Sequence, residues 1–195
     1  MIKTVLYIAT SLDGFIARPD GNLDWLTSMP NPQNHDYGYA EFLNTIGTIV
    51  MGRKTYHEII GFGVDWPYNE IKSYVVTSDK DLKIQSPNTF LLTENLNDFV
   101  EEMKNQSNKD FWLVGGGQLI KSFLDAGLID KMIITVIPKV IGQGIPLFAG
   151  TINETNWKLI EVVSFDTGVV NLTYEIANSR LNKPHIMNSD RKIWI

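Results

Sequence analysis

Short apolar runs alternate along the chain with segments in which apolar residues recur at helical spacing. KTVLYIAT (3–10), TIVMG (48–52) and DFWLVG (110–115) are short, apolar and rich in β-branched or aromatic residues, as is typical of strands. In NLNDFVEEMKNQ (95–106) the apolar residues have helical spacing instead, next to asparagines that suit a helix N-cap. Strands that alternate with helices predict an α/β protein.

The remaining segments continue this alternation. We predict further helices over 35–46, 53–60 and 118–127, and further strands over 72–78, 89–94, 131–141, 156–166 and 169–177. In the helix over 53–60, Thr55 and Glu58 are close to capping-box spacing. The last two strands flank a turn near Gly168, which indicates an antiparallel hairpin. The pattern therefore predicts a three-layer α/β fold with a mostly parallel central sheet and an antiparallel C-terminal hairpin.

Composition narrows the class of protein. The chain has 195 residues, of which 44% are hydrophobic and 20% charged, and this suits one globular domain. The absence of cysteine excludes disulfides and thiolate zinc sites, and it suits a cytoplasmic protein. A net charge of −5 argues against nucleic-acid binding. No apolar run approaches the ~18 residues of a membrane span, and the three histidines lack metal-site spacing.

Three consecutive glycines, Gly115, Gly116 and Gly117, lie between a predicted strand and a predicted helix. Such a loop offers free backbone N–H groups at the positive end of a helix dipole, which suits a phosphate. The common dinucleotide fingerprint is not met, because its third glycine position is Ile120 here. Two interpretations stay open at this point: a phosphate-binding loop and a tight crossover without a ligand.

VMGRKTY (50–56) places two cations at the start of a helix. Arg53 and Lys54 lie in its first turn, where the helix dipole is mildly unfavourable to positive charge. A bound anion would compensate, and a guanidinium, an ammonium and the Thr55 hydroxyl suit a phosphate monoester. The alternative is a solvated basic turn.

Taken together, these motifs resemble one family. IVMGRKTY (49–56), YVVTS (74–78) and WLVGGGQLI (112–120), in this order and spacing, resemble the dihydrofolate reductase superfamily. SLDGFIA (11–17) resembles the branch that contains the reductase domain of bifunctional riboflavin-biosynthesis enzymes and its stand-alone relatives.

The resemblance implies a dihydrofolate-reductase-like domain at 1–177 and leaves 178–195 as a C-terminal tail of unknown role. It also implies NADPH as the cofactor and a cis peptide bond between the first two glycines. The cofactor-binding residues that it implies are Gly52, Arg53, Lys54 and Thr55 for the adenosine end and pyrophosphate, Ser78 for the 2′-phosphate, and Gly115, Gly116, Gly117 and Gln118 for the pyrophosphate and nicotinamide side.

Three residues are candidates for catalysis. Asp13 belongs to a Gly- and Asp-rich loop (11–26) that would cover the nicotinamide, although Asp-Gly is also an ordinary turn signal. Reduction needs a proton as well as a hydride, and Asp36 is the acid nearest the position implied by the resemblance, with Glu41 or an ordered water as alternatives. Thr135 matches a strand threonine on the substrate side of dihydrofolate reductases.

Trp25, Phe42 and Pro138 are the candidate substrate-binding residues. By the resemblance, Trp25 follows the flexible loop, Phe42 packs on the substrate ring, and Pro138 shapes a loop near the nicotinamide. The riboflavin branch usually carries an arginine and an aspartate for the ribose phosphate before the second strand. This chain has YAEFLNTIGTIV (39–50) there, which contains no arginine.

The resemblance implies an NADPH-dependent reductase that transfers a hydride to a pyrimidine- or pteridine-type substrate. The implied enzyme is similar to 5-amino-6-(5-phosphoribosylamino)uracil reductase, and the alternatives are dihydrofolate reductase and a non-catalytic NADPH-binding protein. The resemblance further implies a homodimer.

Overall fold

The computed structural model describes residues 1–177, so the tail at 178–195 lies outside the described residues. The strands are β1 (Thr4–Ser11), β2 (Phe15–Ala17), β3 (Ile46–Gly52), β4 (Lys72–Val76), β5 (Thr89–Leu92), β6 (Asp110–Gly115), β7 (Lys131–Ile137), β8 (Ile145–Pro146), β9 (Trp157–Ser164) and β10 (Val170–Ile176). The helices are α1 (Asp24–Thr27), α2 (Tyr39–Asn44), α3 (Arg53–Gly61), α4 (Leu96–Gln106) and α5 (Gly117–Asp125).

Eight strands form the central sheet in the order β5-β4-β3-β6-β1-β7-β10-β9. The pairs from β5 to β7 are parallel, whereas β10 is antiparallel to both β7 and β9. The predicted mostly parallel sheet with an antiparallel C-terminal hairpin is thereby confirmed. The carboxyl ends of β1, β3, β6 and β7 meet at one edge, which is where parallel α/β sheets bind ligands.

Alternating residues of the central strands supply two hydrophobic cores, one on each face of the sheet. On β3, Val50 belongs to the core that contains the α4 and α5 side chains, whereas Ile49 and Met51 belong to the core with the α2 and α3 side chains. On β6, Leu113 belongs to the core with the α4 and α5 side chains, and Trp112 belongs to the core with the α2 and α3 side chains. This period of two follows from the pleat of a strand, and it gives the three layers that the pattern predicts.

Three local predictions are wrong, each for a local reason. The helix predicted over 35–46 is shorter because Gly38, at its N-cap, has φ 84°, a left-handed conformation that cannot continue a helix. The strand predicted to reach residue 141 ends at Ile137, just before a proline that lacks the N–H for a sheet ladder. The capping box of Thr55 is absent, since α3 starts on Gly52 without a side-chain cap from any described residue.

The part of the chain that the structure describes contains no helix with the length and apolar character that a membrane span requires.

Candidate functional site

Two loops at the carboxyl edge of the sheet lie side by side. They join β3 to α3 and β6 to α5, and the parallel pairing of β3 with β6 places Met51 opposite Gly115. A Cβ on Gly116 would stand 3.4 Å from Thr55 Oγ1, and a Cβ on Gly52 would stand 3.8 Å from the Gly115 carbonyl oxygen. The two loops predicted to bind phosphate therefore form one continuous surface.

Both helices that follow these loops begin with open N-termini. Their N-cap residues, Gly52 and Gly116, are extended, and no side chain of residues 1–177 caps either helix. The first N–H groups of a helix have no partner within the helix, and they carry the positive end of its dipole. Two such ends side by side suit a ligand with more than one phosphate.

The Gly115–Gly116 peptide bond is cis, which confirms the expectation drawn from the resemblance. Gly115 has φ 133°, a conformation that disfavours any side chain. Gly117 is buried, and a Cβ there would stand 3.3 Å from the Pro146 carbonyl oxygen on β8. Gln118 is exposed in the first turn of α5.

One cation of the first loop, Arg53, reaches toward the neighbouring strand end. The Arg53 guanidinium lies 3.6 Å from the Asp79 carboxylate, and both side chains are about half exposed. Ser78, which precedes Asp79, is exposed after the end of β4. Lys54 is exposed as well. Arg53 thus pairs with the residue that directly follows Ser78.

Beside the glycine loop lies a cavity of about 450 Å³, which we call the aromatic cavity. The residues lining it include Tyr7, Ile8, Asp36, Tyr39, Trp112 and Thr135. Ile8 connects it to the glycine loop, because its Cδ1 atom lies 3.7 Å from where a Cβ on Gly115 would stand. Four of the thirteen lining residues are aromatic, and two of them, Tyr39 and Trp112, stand edge to face at 5.9 Å between ring centroids.

Asp36 and Thr135, two of the three predicted catalytic residues, line this cavity together. The Asp36 carboxylate accepts the backbone N–H groups of Ala40 and Gly38, both at 3.0 Å, and these two bonds lower its pKa. Thr135 Oγ1 donates to Asn171 Oδ1 at 2.8 Å, and the Asn171 amide donates to the Tyr37 carbonyl at 2.7 Å. Asp36 is therefore ionised at neutral pH, and Thr135 is held in a fixed orientation.

Asp13, the third predicted catalytic residue, lies outside the lining of the aromatic cavity. Its carboxylate accepts the Ser11 hydroxyl at 2.6 Å and the backbone N–H groups of Ile141 at 3.2 Å and Gly142 at 2.8 Å. The Ser11 bond is the main cause that lowers the pKa of Asp13, with the two backbone donors adding to it. Asp13 therefore joins the loop after β1 to the loop after β7.

The predicted substrate-binding residues lie at different depths. Trp25 is fully buried and packs with Ile137 and Val169. Phe42 is 8% exposed, and its ring lies 4.4 Å from that of Tyr7, between centroids, so it supports a wall of the aromatic cavity from behind. Pro138 lines a neighbouring cavity of about 380 Å³, which shares Met29 and Ile137 with the aromatic one.

Four residues of the site are not among the predicted site residues. Tyr7, Tyr39 and Trp112 line the aromatic cavity, and Asn171 holds Thr135. Burial raises the pKa of the Tyr7 phenol, so its hydroxyl keeps its proton at neutral pH. The sequence pattern did not single these residues out, because aromatic residues in predicted strands are most simply core residues.

The fold and the paired loops define a protein of the dihydrofolate-reductase-like class. The chain belongs to the RibD C-terminal domain family, whose profile matches residues 3–171. It is therefore homologous to the reductase domains of riboflavin-biosynthesis proteins.

Individual relatives agree with this assignment. The chain is 38% identical over 167 residues to the protein YwjB of Bacillus subtilis (strain 168), an alignment that covers 86% of this chain and 94% of that one. A putative riboflavin biosynthesis protein from Shewanella sp. PV-4 superposes with a TM-score of 0.82 at 31% identity, covering 90% of this chain and 99% of that one. A dihydrofolate reductase from Enterococcus faecalis, solved with NADP(H), shares the fold at a TM-score of 0.62 and 18% identity, with coverage of 89% and 96%.

Proposed function

We propose that the protein is an NADPH-dependent reductase that transfers a hydride to a nitrogen heterocycle, in a reaction similar to that of 5-amino-6-(5-phosphoribosylamino)uracil reductase. The observation that carries the proposal is the position of Ile8. The residue lines the aromatic cavity, and its side chain, which packs with the α4 and α5 core on the other face of the sheet, abuts Gly115 of the phosphate-type loop. A dinucleotide held on the two loops and a flat ring held in the cavity would be neighbours.

The residues present fit a phosphorylated dinucleotide. Gly52 and Gly116 leave two helix N-termini open, and the surface between them would be occupied by any larger side chain. The pyrophosphate and nicotinamide side is assigned to Gly52, Thr55 and residues 115–118. The adenosine end and its 2′-phosphate are assigned to Arg53, Lys54 and Ser78. When bound, NADPH supplies the hydride.

The residues of the cavity would orient the substrate. Tyr39 and Trp112 supply aromatic lining that suits contact with a planar ring. The Thr135–Asn171 pair presents a fixed hydroxyl, and Tyr7 presents a phenol that remains protonated at neutral pH. Because hydrogen bonds keep both Asp13 and Asp36 ionised, we assign proton delivery to a water oriented by Asp36 and not to a carboxylic acid.

The same lowered pKa values favour a second candidate, a protein that binds NADPH without turnover. A reductase that uses a neutral carboxylic acid needs a raised pKa, whereas both predicted acids have lowered ones. The two candidates make different predictions for catalysis and the same prediction for cofactor binding.

Two measurements test the proposal. Isothermal titration should give clearly tighter binding of NADPH than of NADH, and the absorbance of NADPH should fall when pyrimidine or pteridine substrates are added. Tight NADPH binding without oxidation on any of them would support the non-catalytic protein. Failure to bind NADPH would overturn both candidates.

We also propose a cytoplasmic homodimer, the cytoplasm being favoured by the absence of cysteine. Strand β9 lies at the sheet edge and exposes Leu159, Ile160 and Val162. An exposed apolar edge strand is a ready surface for association. Analytical ultracentrifugation of the wild type and of Val162→Lys tests this, and a wild-type monomer at micromolar concentration would contradict it.

A further inference from the structure

The aromatic cavity has an uneven charge. Among residues 1–177, Asp36 is the one charged side chain that lines it, and no lysine or arginine of this part of the chain does so. Asp36 is also fixed in place, because each of its carboxylate oxygens accepts one backbone N–H. The cavity therefore presents the negative charge of a fixed, solvent-exposed carboxylate to whatever enters it.

The neighbouring cavity does not reverse this sign. It shares Met29 and Ile137 with the aromatic cavity and adds two charged side chains, Lys139 and Asp166, one of each sign. A phosphate that extended from the first cavity into the second would meet one lysine and two carboxylates in all. Recognition of a phosphate instead needs a surplus of cationic or N–H donors at the site.

Both cavities also have lining residues with an unpaired polar atom. Within residues 1–177, the buried Tyr37 hydroxyl next to the aromatic cavity has no hydrogen-bond partner, and neither has Thr167 Oγ1 next to the neighbouring one. Buried hydroxyl groups normally find a partner. Both hydroxyl groups are closed to solvent, so they add polar character but no charge to the walls of the cavities.

We infer that the substrate is an unphosphorylated, neutral or cationic nitrogen heterocycle, and that Asp36 selects it against the phosphorylated form. This inference rests on the proposed reductase function and names its substrate class. The oxygens of a carboxylate retain lone pairs after one hydrogen bond each, so Asp36 can accept ring N–H or exocyclic amine donors. The aromatic walls hold the ring, and hydroxyl groups of an attached sugar suit the neighbouring cavity.

The test uses one matched pair of compounds, 5-amino-6-(5-phosphoribosylamino)uracil and the same compound without its phosphate. Each is titrated into the full-length protein saturated with NADPH. We expect the dephosphorylated compound to bind at least about tenfold more tightly at low ionic strength. We expect this preference to shrink at about 0.5 M sodium chloride, because salt screens the repulsion between the phosphate and Asp36.

A charge variant checks that Asp36 is the cause. Asp36→Asn removes the charge and keeps one oxygen, which can accept one of the two backbone N–H groups, and the preference should fall to about threefold or less. Glu41→Gln is the matched control, since Glu41 lies on the same short helix but lines neither cavity. It should leave the preference unchanged.

Several outcomes would overturn the inference. These are equal or tighter binding of the phosphorylated compound, no binding of either compound, and a preference that is the same in Asp36→Asn as in the wild type. NADPH binding, measured alone beforehand, separates this failure from failure of the proposed function. A protein that binds NADPH but prefers the phosphate remains a reductase candidate of another substrate class.

Discussion

The Asp13 carboxylate accepts the backbone N–H of Gly142 at 2.8 Å across 129 positions of sequence. A second bond, from the backbone N–H of Ile141, joins the same two loops. The loops follow β1 and β7, which are adjacent in the sheet and both contribute side chains to the aromatic cavity. Asp13 thus holds the loop after β1 and the loop after β7 together.

We expect Asp13→Ala to lower kcat/KM by about tenfold or more while NADPH affinity changes little, because positioning is lost and the cofactor loops are untouched. Steady-state kinetics together with NADPH titration checks this. Asp20→Asn is the control, since Asp20 accepts a backbone N–H within its own turn, from Asn22. Equal losses of catalysis and NADPH affinity in Asp13→Ala would show a different role.

Acid should destabilise the fold through carboxyl groups with lowered pKa. Carboxyl groups of this kind include Asp13, Asp36, Asp125 and Glu175. The hydrogen bond from Lys3 is the largest cause of the lowered pKa of Glu175. A lowered folded-state pKa stabilises the protein above the unfolded-state value, about 4, and this contribution is lost as the pH falls through the folded value.

Thermal unfolding followed by circular dichroism should therefore give a Tm that is flat near neutral pH and falls steeply below about pH 4. Glu175→Gln should remove part of that fall in Tm. Glu154→Gln, at an exposed position, is the control and should leave the fall unchanged. A Tm that rises on acidification through this range would contradict the assignment.

Gly116→Ala should impair cofactor binding more than folding. The added Cβ would stand 3.4 Å from Thr55 Oγ1, on the surface shared by the two loops, and the φ of Gly116 is −75°, which alanine adopts readily. We expect NADPH affinity to fall about tenfold or more with a change in Tm of a few degrees at most. Gly61→Ala, where a Cβ would meet nothing within 4 Å, is the control.

Gly144→Ala should act in the opposite way, on stability. A Cβ there would stand 2.3 Å from the Ala17 carbonyl oxygen and 3.0 Å from Phe15 Cβ. Because the nearest atom belongs to the backbone of β2, it cannot move aside as a flexible side chain would. We expect a loss of about 1–3 kcal/mol in the free energy of unfolding, measured by urea titration. A variant as stable as the wild type would show that the β2–β8 pair tolerates separation.

Arg53→Glu should weaken NADPH far more than NADH, because the proposed partner of Arg53 is the 2′-phosphate that NADH lacks. Removing a charge-assisted hydrogen bond and adding a repulsive charge should cost about a hundredfold in NADPH affinity. Lys72→Glu, the same change of charge at the opposite end of neighbouring β4, is the control. Equal losses for both cofactors would exclude the 2′-phosphate as the partner of Arg53.

The sequence alone was sufficient for the fold class and for the two loops. Each loop is a local unit of strand, glycine and helix start, so its backbone conformation depends on neighbouring residues, and the motifs GRKT and GGGQ can be recognised in isolation. The order of the strands along the chain likewise predicts a parallel sheet with its ligand edge.

The cavity was decided by tertiary structure. The cavity takes Tyr7 from β1, Trp112 from β6, Thr135 from β7, and Asp36 from the segment that precedes α2. The pairing of β1 with both β6 and β7 brings the three strand residues together. The sequence pattern also does not predict how deeply a side chain is buried. Phe42 was expected against the substrate, but it is buried behind the cavity wall. The direction and burial of a side chain depend on neighbouring strands that are distant in sequence. The hydrophobic pattern of a single segment therefore does not predict them.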